Sequence, residues 1–422
     1  MRWSSGSGYG TAPTRNGMPH LALYMVLAAA VCASLGCRGP ERTQVTVIAG
    51  PQPTKAAAPA DGRRFDILPG AKLSSDGTVL ATGVMPAVEG AQTRVYVNQV
   101  WFMDADTGQV LAMTDPGVQC GFYNWGPGNS YLMNVKHPGH PSQLVWARSP
   151  TEAYTTIAPD DPTLGDGIRG LSPHFDPQMK WVVVEASRVG APEDSRRVEI
   201  LAIALHGSNT KRIWQSEHFA DVVSFVSNPR DPQTPMVLLG GQISGEAGGS
   251  EVAAIAVPSG AVLWRSRLSD EPARVGEIQP YGPGQVIVPV TIGGSILPGS
   301  GIHTEIFRVH LADGEVSQIA DVPADCSSLA ALKDAGSPSV FVASSWDVWQ
   351  VGLPGSGVLT RKVVDGSLVA RPWGPIRRSS DGDIEAYFWG IHCLYRCHLR
   401  AGMSEIFWGR RLLSDDPPRV AR

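Results

Sequence analysis

The chain has 422 residues, 43% of them hydrophobic and 18% charged, with a formal net charge of −4. That length supports a large buried core, and the mild acidity excludes the basic footprint that nucleic-acid binders carry. The 47 glycines and 34 prolines suit a turn-rich β protein, and after residue 65 hardly any stretch keeps apolar residues at helical spacing for three turns.

The first segment in chain order is an export signal. Arg2 and Arg15 lie in a polar lead before the apolar run LALYMVLAAAVCASLGC, Leu21 to Cys37. A positive lead before an apolar core of this length is predicted to be a secretory signal peptide, residues 1–37, rather than a stop-transfer helix. Its end, ASLGC, resembles the bacterial lipobox, with Ser34 where that motif usually has leucine. The resemblance implies lipidation of Cys37; ordinary cleavage after Ala33 is the alternative. Residues 38–64 hold Pro, Ala and charge with little to bury, and read as a flexible linker. No other segment is apolar and long enough for a membrane-spanning helix.

From residue 65 to about 416 one unit recurs: an alternating strand, a glycine turn and a second strand, preceded by another hairpin. Instances include VWFMDADTGQVLAM at 100, VAAIAVPSGAVLWRS at 252 and IFRVHLADGEVSQIA at 306. Four strands per unit, with turn glycines roughly 40–55 residues apart, are the signature of a β-propeller. The units start near residues 65, 118, 168, 220, 275, 325 and 368, which predicts an all-β propeller of seven blades, with six or eight as alternatives. The first and last units each contain four strands, so the segment QVTVIA (residues 44–49) is the one candidate for an interlocking strand.

GIHCLYRCHLRAG, residues 390–402, looks like a stretched haem-attachment motif, yet LYRCHLRAG aligns with IFRVHLADG of the fifth unit. Cys393 and Cys397 then share one face of a strand, ~13 Å apart, too far for a disulfide or for two thioethers to one haem. They are expected to be small packing residues. Cys120 and Cys326 sit near the starts of other units, and the mature cysteines read as free buried thiols, although spacing alone gives no pairing.

The turns SSDG at 74–77 and at 379–382, with the variant SPHFDPQ at 172–178, resemble the Ser-Pro-Asp-Gly turn of TolB-type, WD-repeat-like propellers. More distantly, AIAVPSGAVLW (254–264) resembles the tryptophan-docking repeat of quinoprotein dehydrogenases and of BamB-like lipoproteins, a motif that is structural there. These resemblances imply fold rather than activity.

Catalytic patterns are missing: there is no G-x-S-x-G, H-E-x-x-H or P-loop. Asp104 and Asp106 in DADTG have calcium-loop spacing but fall on a tight hairpin turn, and His137 and His140 in KHPGHPS lie in a proline-bearing loop. No catalytic, cofactor-binding or metal-ligating residue is assigned and no cofactor is expected; Cys37 is the one site residue. Trp346, Trp349, Trp373 and Trp389 are expected to pack between blades rather than form a sugar platform.

Propeller topology places the turns between strands one and two, and between three and four, on one face. The connections between strands two and three lie on the other. The former are tight here, while four of the latter are long, at 85–93, 187–197, 241–251 and 291–305. Long loops gathered on a rigid scaffold suit binding. The expected function is a non-catalytic exported lipoprotein, periplasmic or cell-surface, that binds or scaffolds an envelope protein or other extracytoplasmic ligand on its loop-rich face. It would reach the membrane through the lipid anchor only and bind no nucleic acid. The alternative is a propeller enzyme of hydrolase, lyase or quinoprotein type, with its site in the central channel.

Overall fold

The computed structural model describes residues 65–420, apart from 87–97, 158–172, 187–197, 242–248, 294–300, 334–337, 367–371, 410–417 and a few isolated positions. The signal segment, the linker and QVTVIA lie outside the described residues. Alternating apolar residues between tight turns give antiparallel strands, paired with their chain neighbours into seven sheets. These are blade 1 (65–113), blade 2 (119–157), blade 3 (174–216), blade 4 (220–269), blade 5 (273–322), blade 6 (328–365) and blade 7 (376–409). The fold is a seven-bladed β-propeller with four-stranded blades.

Two inner strands are broken. In blade 5 the break lies between Ala273–Val275 and Gln279–Gly282, and it faces Pro289 on the second strand. Proline has no N–H to donate to the ladder, so pairing stops there and resumes beyond it. In blade 1 the pieces are Phe65–Ile67 and Lys72–Leu73, joined across Gly70 at φ +95°.

Because side chains alternate, each blade offers an apolar surface to both neighbours, and seven hydrophobic clusters fill the seven junctions, one each. Fully burying one such Val, Leu, Ile or Phe contributes about 1.5–3 kcal/mol, so stacking rather than any single blade holds the ring. Cys393 and Cys397 lie in the blade 6–7 cluster beside Phe388 and Tyr395, both fully buried, on one strand as expected.

A feature absent from the sequence reading is a repeated β-bulge. The outermost strands of blades 1, 3, 4, 5, 6 and 7 carry an extra residue against the third strand, Leu111, Ile213, Leu263, Ile319, Val363 and Phe407, and that of blade 4 carries a second, Leu268. All seven are apolar. A bulge lets two consecutive side chains face one way, as Val363 and Val364 do in burying themselves toward blade 7.

Turn glycines fit the blades together at the rim. Gly314, at φ +77°, would place a Cβ 2.6 Å from the Trp264 ring, and Trp264 Nε1 donates to Leu311 O at 2.9 Å. The docking tryptophan of blade 4 therefore lies on the turn of blade 5. Gly260 meets Ile213 O of blade 3, and Gly108 meets Phe407 O of blade 7, in the same manner.

Ring closure uses side chains. Blades 1 and 7 each hold all their strands in chain order, so among the described residues no strand interlocks them. Trp101 and Trp408 meet edge-on at 5.1 Å, and Trp389 Nε1 donates to Ile67 O. At the centre stands Arg377, whose guanidinium donates to Gly77 O (2.9 Å), Ala105 O (2.7 Å) and Asp106 Oδ1 (2.6 Å) of blade 1. It also pairs with the buried Glu385 of its own blade at 2.8 Å. Tyr387 Oη donates to Ala105 O at 2.9 Å, and Arg396 donates to Asp106 O at 2.8 Å. One strand is shared elsewhere: Arg419–Val420 adds to the outer edge of blade 6, beyond the 416 boundary read from the sequence.

Candidate functional site

The long connections at 85–93, 187–197, 241–251 and 291–305 join strands two and three of blades 1, 3, 4 and 5, and the topology sets them at one end of the ring. The connection at 187–197 lies wholly outside the described residues, and so do the central parts of the other three; the bases of those three are described. At blade 4, Ser250 is fully buried, donates to Ala273 O (3.0 Å) and accepts from Ala273 N (2.8 Å). At blade 5, Thr304 is fully buried, donates to Ala324 O (2.8 Å) and stands 3.0 Å from the Thr291 hydroxyl, which accepts from Cys326 N at 3.3 Å. At blade 1, Thr114 Oγ1 accepts from Val100 N at 2.9 Å. Buried hydroxyls thus tie three loop bases to the links that lead to the next blade, so the long connections spring from a fixed rim. The sequence signals were a Ser or Thr at the start of a third strand (Ser250, Thr304) or just after a fourth (Thr114), residues too common to single out.

The opposite face consists of closed turns. Asp104 Oδ1 accepts the backbone N–H groups of Asp106 (3.1 Å) and Thr107 (2.7 Å), while Asp106 faces Arg377, so DADTG is an aspartate-capped turn built into the seam. Burial raises the pKa of Asp104, but the Thr107 and Asp106 hydrogen bonds and the Arg377 charge outweigh it and leave it below the ordinary value. Asp76 behaves alike: partial burial raises its pKa, yet bonds from Ser74, Thr78 and Asn129 bring it down to about 2. The strand 2–3 connection of blade 2 lies instead on the face of the long connections: there His137 turns its Nε2 to Tyr154 Oη at 3.4 Å, and a backbone bond from His140 N to His137 O (3.0 Å) closes the loop.

On the inner strands, His174 Nδ1 and Asn124 Nδ2 lie 3.3 Å apart between blades 2 and 3. Among the described residues no group of three or more His, Cys, Asp or Glu side chains could hold a metal ion. Cys120, Cys326, Cys393 and Cys397 are free and buried. Burial pushes the Cys120 thiol up to about 11 and Cys326 to about 12, which leaves neither a ready nucleophile at neutral pH. Of the tryptophans expected between blades, Trp349 and Trp389 pack against junction clusters; Trp373 lies outside the described residues. Cys37 also lies outside them. No helix among the described residues is long and apolar enough to cross a membrane.

No family model and no curated protein matches the chain. Among solved structures, acylaminoacyl peptidase from Pyrococcus horikoshii aligns with 10% identity and a TM-score of 0.50, over 86% of this chain and 54% of that one. TolB from Acinetobacter baumannii aligns with 13% identity and a TM-score of 0.38, over 71% of this chain and 65% of that one. The β-propeller domain of the trilobed protease from Pyrococcus furiosus aligns with 11% identity and a TM-score of 0.36, over 81% and 85%. The chain spans about half the length of the acylaminoacyl peptidases it matches. Identities this low speak for fold and not for activity. By architecture the chain is a β-propeller, similar to those of peptidases and TolB proteins alike.

Proposed function

We propose that the protein is an exported, lipid-anchored propeller that binds an envelope protein or another extracytoplasmic ligand through its loop-rich rim, without catalysing a reaction. The observation that carries this reading is the rim: Ser250, Thr304 and Thr114 fix the bases of long connections that share one end of the ring. Support comes also from the charged groups of highest burial. Arg377 and Glu385 join blades, and the buried aspartate Asp176 holds its own turn, accepting Gln178 N at 2.9 Å. The lipobox-like end at Cys37 supports an anchor and a site of action outside the cytoplasm.

The test has two arms. Wild-type protein partitions into detergent and carries labelled fatty acid, whereas Cys37→Ala is released or stalls in processing; equal partitioning removes the anchor. Separately, pull-down from native membranes recovers a partner that is lost when residues 294–300 alone are replaced by a short link, the Thr291 and Thr304 base being kept, and retained when Ser259→Ala alters the opposite face. Shortening leaves stability nearly unchanged, because loop closure depends weakly on length. Loss of the partner with Ser259→Ala alone would assign the wrong face.

A further inference from the structure

Phe65 pairs with Pro86, at the end of the second strand that leads into the long connection at 85–93, and Gln99 opens the third strand opposite Val84. The first described strand of the propeller therefore starts at the loop-rich end of the ring. The link from blade 1 to blade 2 returns to that end, where Thr114 stands beside Val100, while tight turns close the other. The chain that runs on from Cys37 thus enters the propeller on the same side as the long connections. Residues 38–64 carry the composition of a linker, and a coil of that length spans roughly 30 Å. A blade is roughly 25 Å tall, as the eight-residue strand Val79–Pro86 shows. For the tight turns to face an anchoring membrane, the linker would have to run back along a whole blade, which takes most of its reach. With the loop-rich end toward the membrane there is no such detour.

On blades 5 and 6 this end carries carboxylates in pairs. Glu305 stands directly opposite Asp321, and Asp347 directly opposite Asp365. Asp321 and Asp365 are exposed, and Lys362 answers the second pair, at 3.8 Å from Asp347 and in contact with Asp365. Like charges opposite one another destabilise a sheet, so a cation brought to these pairs is favoured. The anionic headgroups of a bilayer repel the same surface. An end that looks toward the membrane and is repelled by its lipids is suited to meet protein there.

We propose that the loop-rich end faces the membrane that holds the anchor, and that its ligand is a protein embedded in that membrane, which meets blades 5 and 6 with Lys or Arg side chains. Complementary charge then sets which partner approaches and in what register. The inference rests on the anchored, rim-binding reading above and narrows it: the ligand is membrane-borne, and cationic where it touches.

The experiment reconstitutes the full lipidated chain into phosphatidylethanolamine–phosphatidylglycerol vesicles that contain a rhodamine-labelled lipid. Cys120, Cys326, Cys393 and Cys397 are buried, so a maleimide donor dye goes to one added cysteine, Pro323→Cys or Glu315→Cys. These flank the outermost strand of blade 5, Val316–Val322, at its loop-rich and tight-turn ends, roughly 20 Å apart. The donor at position 323 should lose more emission to the lipid dye than the donor at position 315; equal or reversed losses would overturn the proposal. Flotation tells the two readings apart. Protein that does not float with the vesicles has no anchor, and both readings fall; protein that floats with the wrong order of losses keeps its anchor and sinks the orientation alone. In cells, photoreactive benzoylphenylalanine at position 323 should cross-link to a protein that stays in the membrane through alkaline carbonate, and at position 315 should not. Asp321→Lys/Asp365→Lys should reduce that adduct about tenfold, with thermal melting to confirm the fold. No adduct, adducts only to lipid or to carbonate-soluble protein, or an adduct indifferent to the charge reversal would overturn the proposal as well.

Discussion

Replacing Arg377 by methionine tests the seam directly. Its side chain is 6% exposed and lies 2.8 Å from the Glu385 carboxylate, itself 3% exposed. The substitution keeps much of the side chain's apolar volume but removes the donors to Gly77 O, Ala105 O and Asp106 Oδ1. Tyr387 still serves Ala105 O, and Arg396 remains 3.6 Å from Glu385, so the loss is not total. A buried charge deprived of its partner costs about 3–5 kcal/mol, and the expected destabilisation falls there. Arg377→Met/Glu385→Leu removes both charges and should return to within about 1–2 kcal/mol of wild type. Urea unfolding supplies the comparison. Hydrogen exchange adds the location: amides of Val79–Pro86 and Ile384–Trp389 should exchange faster in the single variant, while those at the blade 4–5 junction should not. The reasoning is refuted if the single variant loses under about 1 kcal/mol, or if the double variant is no more stable than the single.

Gly314→Ala and Gly355→Ala form a matched pair: both glycines have φ near +78°, but the first Cβ lands 2.6 Å from Trp264 and the second meets nothing within 4 Å. Gly355→Ala should therefore cost only the left-handed penalty, about 1–2 kcal/mol, and Gly314→Ala clearly more, as read by thermal unfolding. Cys326 should weaken the fold in alkali. Its folded pKa of about 12 exceeds the ordinary 9.0, so the unfolded chain loses the proton first and stability falls as pH rises from 9 toward 12. Cys326→Val should flatten that fall in melts between those pH values. Asp76 has the opposite sign: with its pKa at about 2 against 3.8, its contribution is present above pH 4 and lost as pH falls toward 2. Asp76→Asn should remove that acid dependence.

The blades were legible because turns and alternation are local. Predicted starts at 65 and 220 coincide with first strands, and the poorest, 368, falls short of Ile376 by a stretch of linker. The bulges were not legible, since an extra apolar residue in an apolar strand leaves no mark on its pattern. Nothing in IRRSSDG marks Arg377 off from its neighbour Arg378. The burial of Arg377 depends on partners 271 to 300 residues away, which no local pattern encodes. For the same reason Asp106 looked like a free turn residue, when it is one of the groups that close the ring. The rim was half legible: the lengths of its connections could be read, but not the hydroxyls that hold their bases.

Among the described residues the ring is closed by side chains, and this has a consequence for how such a chain can change over generations. Apart from the Arg419–Val420 addition to blade 6, every blade is one uninterrupted run of sequence. A propeller that interlocks its ends splits one blade between them, so copying or losing a repeat must respect that division. Here a single duplication or excision in the gene, cut at any link between blades, adds or removes a whole blade with both of its faces. The same contiguity permits new ends: joining Gly409 to Phe65 by a short bridge and opening the chain at the 114–118 link would keep the four strands of every blade, giving up only the Arg419–Val420 addition to blade 6, and turn the present seam into an ordinary junction.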